Sequence, residues 1–198
     1  MKEKYTWNDV TLAQFNGLQD VMKIEDDVEK AIALAELMFG ENITELPLAE
    51  FNEVVRKLKF LQEEMPNTVP PKKLEINGRK YYTDCLLGNI STAQYVDFTN
   101  HSKTNDTAKI LSCFIIPEGH KYNDGYDMQQ VIGDIEEMPV PTAFSISFFF
   151  ARQFSKFMGI FQTYSIRRIK KLKLPKPAKE AMIKAVQYST SLALSPIS

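Results

Sequence analysis

Two groups of residues in the last quarter of this 198-residue chain have the types and spacing to do chemistry, and in both cases that chemistry is binding. Phe150, Phe154, Phe157, Phe161 and Tyr164 recur at intervals of 4, 3, 4 and 3. That is the a/d spacing that lays side chains along one seam of a helix. Phe144, Phe148 and Met158 form a second stripe, and Phe149 falls on a third side near Arg152, Gln153 and Lys156. A helix apolar over so much of its circumference is either the central core helix of its half of the molecule or a docking surface for another helix or another copy of the chain. The second group is the run Arg167, Arg168, Lys170, Lys171, Lys173, Lys176, Lys179 and Lys184, opposed by Glu180 alone. These cations suit the C-terminal end of a helix dipole. They also suit an acidic protein surface, including residues 20–66 of the chain itself. Nucleic acid stands behind both readings, because the run has no interleaved aromatics and matches no DNA- or RNA-binding motif.

Residue patterns for catalysis, metals and cofactors do not emerge. His101 and His120 lie apart and neither belongs to a ligand pattern, and Cys85 and Cys113 do not form a Cys-x-x-Cys pair. The eight glycines are scattered and build no phosphate loop. Asn123-Asp124-Gly125-Tyr126-Asp127 has the flavour of a calcium loop but lacks the distal bidentate glutamate, so it reads as a turn. Asp26-Asp27 and Glu136-Glu137 are neighbours on helices and diverge in direction, which makes poor acid/base pairs. The expectation is a non-enzyme without metal or cofactor. The cysteines, each among apolar neighbours, read as buried thiols of a reducing compartment, with a single disulfide left open.

The elements that must position these residues follow from hydrophobic period and punctuation. Hydrophobic residues make up 44% and charged residues 25%, an ordinary globular balance. The N-terminal residues lack a signal-peptide run, and Ala143 to Phe161 is interrupted by Arg152, Gln153 and Lys156. A membrane span is therefore not expected. Thr11 caps a first helix, Glu25 to Phe39 reads as a second stopped by Gly40, and Pro47 opens a third to about Glu64. Met65 to Pro71 is a stiff connector dividing an N-terminal helical part, 1–66, from the remainder, 67–198. Residues 74–82 read as a β-hairpin about Asn77-Gly78. Further helices are expected from Ser91 or Thr92 to about His101, from Asn105-Asp106 to Ile116, from Met128 to Glu137, from Thr142 to Lys171, and from Ala178 to Ser189. The fold class is mainly α with one small hairpin, both parts packing as one unit. Val10-Thr11-Leu12-Ala13-Gln14-Phe15 echoes Ile90-Ser91-Thr92-Ala93-Gln94-Tyr95, which is either a duplicated two-helix unit or chance.

Charge is unevenly placed. Residues 1–66 hold 7 basic and 14 acidic side chains, residues 67–150 hold 7 and 10, and residues 151–198 hold 10 and 1. The order of these parts resembles small assembly proteins of tailed bacteriophages, of the tail-assembly-chaperone kind. The segments that carry the likeness are Thr6 to Phe15, Leu46-Pro47-Leu48-Ala49-Glu50-Phe51, Ile76 to Tyr81, Thr92 to Asp97, and Ser147-Phe148-Phe149-Phe150 with Gln153-Phe154. The resemblance implies virion morphogenesis in the cytoplasm of a bacterial host, by binding a helical tape-measure-like protein, and it brings no catalytic residues. A structural subunit of the virion (neck, connector or baseplate) fits the same features. A nucleic-acid-binding accessory protein rests on the basic run alone. The expected partner surface comprises Phe150, Phe154, Phe157, Phe161, Tyr164, Arg167, Arg168, Lys170 and Lys171, with homo-oligomerisation left open.

Overall fold

The N-terminal chain is organised by side chains that satisfy helix ends. A computed structural model describes residues 4–40, 42–83, 90–104 and 106–194, of which 157, 158, 161 and 188–194 are described by backbone alone. Cys85 lies outside the described residues. Helix α1 (Leu12–Val21) begins with a capping box in which Thr11 Oγ1 accepts from the Gln14 amide and Gln14 Oε1 accepts from the Thr11 amide. Helix α2 (Asp27–Phe39) is capped by Asp26 and ends on Gly40 at φ 67°, a left-handed conformation that glycine takes without a Cβ clash. Helix α3 (Leu48–Lys57) stops earlier than its apolar period predicts, and Leu58–Gln62 continues as a tighter 3-10 turn. The reason is burial of both Leu58 and Phe60. Residues two apart point about 160° apart on an α-helix but about 120° apart on a 3-10 helix.

Strands β1 (Lys73–Ile76) and β2 (Arg79–Thr83) form the expected hairpin, with Asn77 at φ 52° and Gly78 at φ 73° in its turn. A third strand, β3 (Ile115–Pro117), pairs antiparallel with β2 in the order β1-β2-β3. The apolar period and Pro117 predict Ile115 and Ile116 as the end of a helix. Instead α4 (Thr92–His101) is followed by a short α5 (Thr107–Ser112), and the two isoleucines leave it to enter the sheet. Both are β-branched and buried there. Pro117 closes an edge strand, where a missing N–H breaks no ladder. Helix α6 (Met128–Glu136) leads to α7 (Val140–Lys171), and α8 (Lys176–Leu194) follows. The fold is mainly helical with one small antiparallel sheet, in line with the expected class. None of its described helices is long and apolar enough to cross a membrane.

The buried side chains form two clusters. The first gathers α1 to α3, with Val10, Leu18, Ala35, Met38, Val54 and Phe60 at its centre. The second lies under the sheet and α4 to α7 and includes Phe98, Phe114, Ile135, Ile146, Phe150 and Phe154. The two are sewn together where the chain before α1 meets the chain before α7. The Leu12 amide donates to Met138 O at 2.9 Å and the Val140 amide to Val10 O at 2.8 Å. Val140 and Phe144 of α7 belong to the first cluster, while Ala143 and Ile146 belong to the second.

The short internal echo corresponds to a repeated construction. Ser91 and Gln94 make the same reciprocal capping box as Thr11 and Gln14. Gln14 Nε2 then reaches the carbonyls of Leu37 and Met38 at the end of α2. Gln94 Nε2 reaches Cys113 O just after α5, at 3.0 Å. Asp26 and Asp106 cap the second helix of each pair. Two helical hairpins are thus each closed by the same glutamine strap.

Candidate functional site

The first half of α7 is a core helix and the second half is an arm. Pro139 and Pro141 start the helix where a missing N–H costs nothing. Val140, Ala143, Ile146, Phe150 and Phe154 then face inward. Beyond Phe154 nearly every side chain described on α7 is exposed or half-buried, with Ile169 the buried exception. After a four-residue link, α8 packs back along this distal half. Lys179 Nζ donates to Lys170 O at 3.2 Å, meeting one of the free carbonyls at the end of α7.

One face of the arm is a shallow open surface formed by Lys156, Gly159, Ile160, Thr163, Tyr164 and Arg167. Their spacing is that of a single helical face. Ile160 is 70% and Tyr164 59% exposed, and the Arg168 guanidinium lies 6.0 Å from the Tyr164 ring centre. Leu172, Leu174 and Met182 add further exposed apolar surface. Arg167, Arg168, Lys170 and Lys171 all face solvent. Among the described residues the arm's one ion pair is Lys176 with Glu180, at 4.0 Å. An apolar stripe edged by nearly unopposed cations can seat an amphipathic segment of opposite charge.

The expected partner surface therefore divides. Phe150 and Phe154 are not available to a partner: they are buried in the second cluster, where Phe150 stacks on Phe114 and both pack on Phe98. The seam turns inward there because Phe98 of α4 and Phe114, between α5 and β3, meet it. The side chains of Phe157 and Phe161 lie outside the described residues. Tyr164, Arg167, Arg168, Lys170 and Lys171 stand together on the arm. Ile160, absent from the expected surface, lies on the third side of the helix, the side of Phe149, Gln153 and Lys156. It is also Phe148 of the second stripe, stacked on Phe144, that is exposed on the first half of α7.

A buried polar cluster was also missed. Asp134 on α6 is 2% exposed. Its Oδ1 accepts from Asn77 Nδ2 at 2.9 Å, Arg79 Nη1 at 3.0 Å and Gln130 Nε2 at 3.5 Å. Its Oδ2 accepts from Arg79 Nη1 at 3.0 Å and from the Tyr81 hydroxyl. Burial alone would raise the Asp134 pKa, but the bonds from Tyr81, Asn77 and Arg79 outweigh it and hold the carboxyl below its usual range. Burial, and then the bond to Asp134, push the Tyr81 hydroxyl upward. Both carboxylate oxygens are committed, so the cluster is a clasp between the hairpin turn and α6. The legible signal was a carboxylate on the same helical stripe as the buried Val131, Ile135 and Met138.

The other reactive side chains are likewise held in structural roles. Cys113 is a buried free thiol whose pKa burial pushes up to about 12. Tyr122 beside it donates to Asp97 at 2.8 Å. With Cys85 replaced by Ser, alkylation of native Cys113 by iodoacetamide at pH 8 is expected to run roughly a thousandfold slower than in urea, since the thiolate is the nucleophile. Equal rates would show an accessible thiol. Asn123 and Gly125 take left-handed turn conformations and Asp127 accepts from the Gln129 amide, so this segment is a turn that starts α6. Among the described residues no group of three or more His, Cys, Asp or Glu is placed to hold a metal ion. No family model, no curated protein and no solved structure matches this chain.

Proposed function

We propose that this chain is a non-enzymatic binding protein of bacteriophage virion morphogenesis, acting as a tail-assembly chaperone does. In this reading the α7–α8 arm receives an amphipathic, acidic helix of a long tape-measure-like protein in the host cytoplasm and keeps it soluble until other subunits take over. The observation that carries the reading is the open face of Ile160 and Tyr164, flanked by Lys156, Arg167 and Arg168. The resemblance of Thr6 to Phe15 and the other quoted segments to tail-assembly proteins gives the biological setting. One observation favours a second reading, a virion subunit: exposed Phe148 stacked on Phe144 offers an apolar contact outside the arm, and a lodged subunit needs more than one.

The test is a pull-down of tagged protein from its native cells, split into nuclease-treated and untreated halves and read by mass spectrometry. Recovery of a long helical protein, lost in the Tyr164→Glu/Arg167→Glu variant, supports the chaperone. Recovery of portal, capsid or tail subunits in fixed ratio, with the chain present in finished particles, supports the virion subunit. Partners that vanish with nuclease replace both with a nucleic-acid reading. Absence of any phage protein overturns the proposal.

A further inference from the structure

The arm has a counterpart of opposite charge elsewhere on the molecule. At the turn between α1 and α2, Met22 and Val28 are 64% and 62% exposed. Around them Asp20, Glu25, Asp26, Asp27 and Glu29 all face solvent. Asp20 is paired with Lys23 and Asp26 caps α2, but Glu25, Asp27 and Glu29 have no ion-pair partner among the described residues. This patch is the arm's surface with the sign of charge reversed: exposed aliphatic side chains rimmed by acids, against Ile160 and Tyr164 rimmed by cations.

The two surfaces of one molecule cannot meet. The start of α1 is bonded to the chain just before α7, through Leu12 to Met138 and Val140 to Val10. The acidic patch lies at the other end of α1, about 15 Å away along its 10 residues. Arg167 lies 27 positions into α7, about 40 Å from the same junction. Ile160, 20 positions into α7, lies about 30 Å from it, so the gap between backbones within one molecule is at least about 15 Å at Ile160 and about 25 Å at Arg167, beyond contact and beyond a Debye length of about 10 Å at 0.1 M salt. The rigid helix keeps the complementary faces apart, and a second molecule can bring them together.

We propose that the α7–α8 arm of one molecule docks on the acidic α1–α2 turn of a second copy, Ile160 and Tyr164 covering Met22 and Val28 and Arg167 and Arg168 facing Asp27 and Glu29. The contact is head-to-tail, so it leaves one arm and one acidic patch unused and propagates into a ring or an open chain. The contact occupies the same face that the phage-assembly reading gives to a tape-measure helix, so the two compete for one arm, and its test is separate because it requires no second protein.

The test uses purified, nuclease-treated full chain in analytical ultracentrifugation over a hundredfold range of concentration. Native protein is expected to self-associate, and raising the salt from about 0.1 to 1 M is expected to weaken association at least tenfold as the Debye length falls to about 3 Å. Arg167→Glu/Arg168→Glu and Asp27→Lys/Glu29→Lys alter exposed side chains, and circular dichroism checks that each variant folds. Each alone is expected to lose association at least tenfold. Mixed in equal amounts they are expected to regain it, since the basic arm of the second meets the acidic patch of the first. Three results would overturn the proposal: a monomer at every concentration in low salt, association abolished by the arm variant but untouched by the patch variant (an arm-to-arm dimer), or no recovery on mixing.

Discussion

Replacing Phe114 with Ala is expected to lower the unfolding free energy by about 3–5 kcal/mol, the range for truncating a buried aromatic side chain. Phe114 is fully buried where α5 hands over to β3. Its ring stacks on Phe150 with centroids 3.7 Å apart and lies 5.6 Å from Phe98. The variant leaves a cavity bounded by α4 and α7, both of which have aromatic neighbours of their own and cannot simply collapse. Phe148→Ala is the matched control, because that ring is mostly exposed. Its effect is expected to stay within about 0.5 kcal/mol. Urea denaturation followed by circular dichroism measures both. A Phe114 loss below about 1 kcal/mol, or a Phe148 loss as large as Phe114, would remove the aromatic cluster from the centre of the fold.

The second large effect is expected at Asp134. Asp134→Asn removes the charge that Arg79 faces and puts an amide N–H opposite Arg79, which has no acceptor, and the Tyr81 hydroxyl, which accepts it only by giving up its own donation. Breaking a hydrogen-bonded buried charge in this way costs about 2–4 kcal/mol. The loss depends on pH with a defined sign. The folded pKa of Asp134 is held below the ordinary aspartate value of about 3.9. Its contribution is therefore fully present above that value and is lost as pH falls through the lower folded pKa. Native protein should lose stability on acidification below about pH 4 more steeply than the Asn variant, and the two curves should converge once pH falls below the lowered folded pKa. Parallel curves across that range would show that Asp134 titrates alike folded and unfolded.

Much of the fold was legible because helix ends and turns are written in single residues. Thr11, Ser91, Asp106 and Asp127 each cap the helix they precede, and Asn77-Gly78 makes the hairpin; Asp26, expected inside the first turn of a helix from Glu25, is instead the cap of α2. Ile115 and Ile116 were misplaced because a short apolar run after a helix reads equally as its last turn or as a strand. The pairing that decides between these comes from β2, more than thirty residues earlier. The aromatic seam was legible as a helical face, but spacing does not say what covers a face. Phe98 and Phe114 arrive from other elements and take Phe150 and Phe154 into the interior, while Tyr164 lies beyond their reach. Asp134 was overlooked because its partners are scattered over Asn77 to Tyr81 and Gln130.

The opening turns of α7 belong to both cores at once: Val140 and Phe144 to one, Ala143 and Ile146 to the other. Neither half can melt without stripping a face from the same rod, so the halves are thermally coupled and a single heat-absorption peak follows. Cutting the backbone in the Met65 to Pro71 connector would sever the covalent path but leave that shared rod and the Leu12–Met138 and Val140–Val10 bonds in place. The two fragments would stay together as a complemented pair, and the linker serves to raise their local concentration.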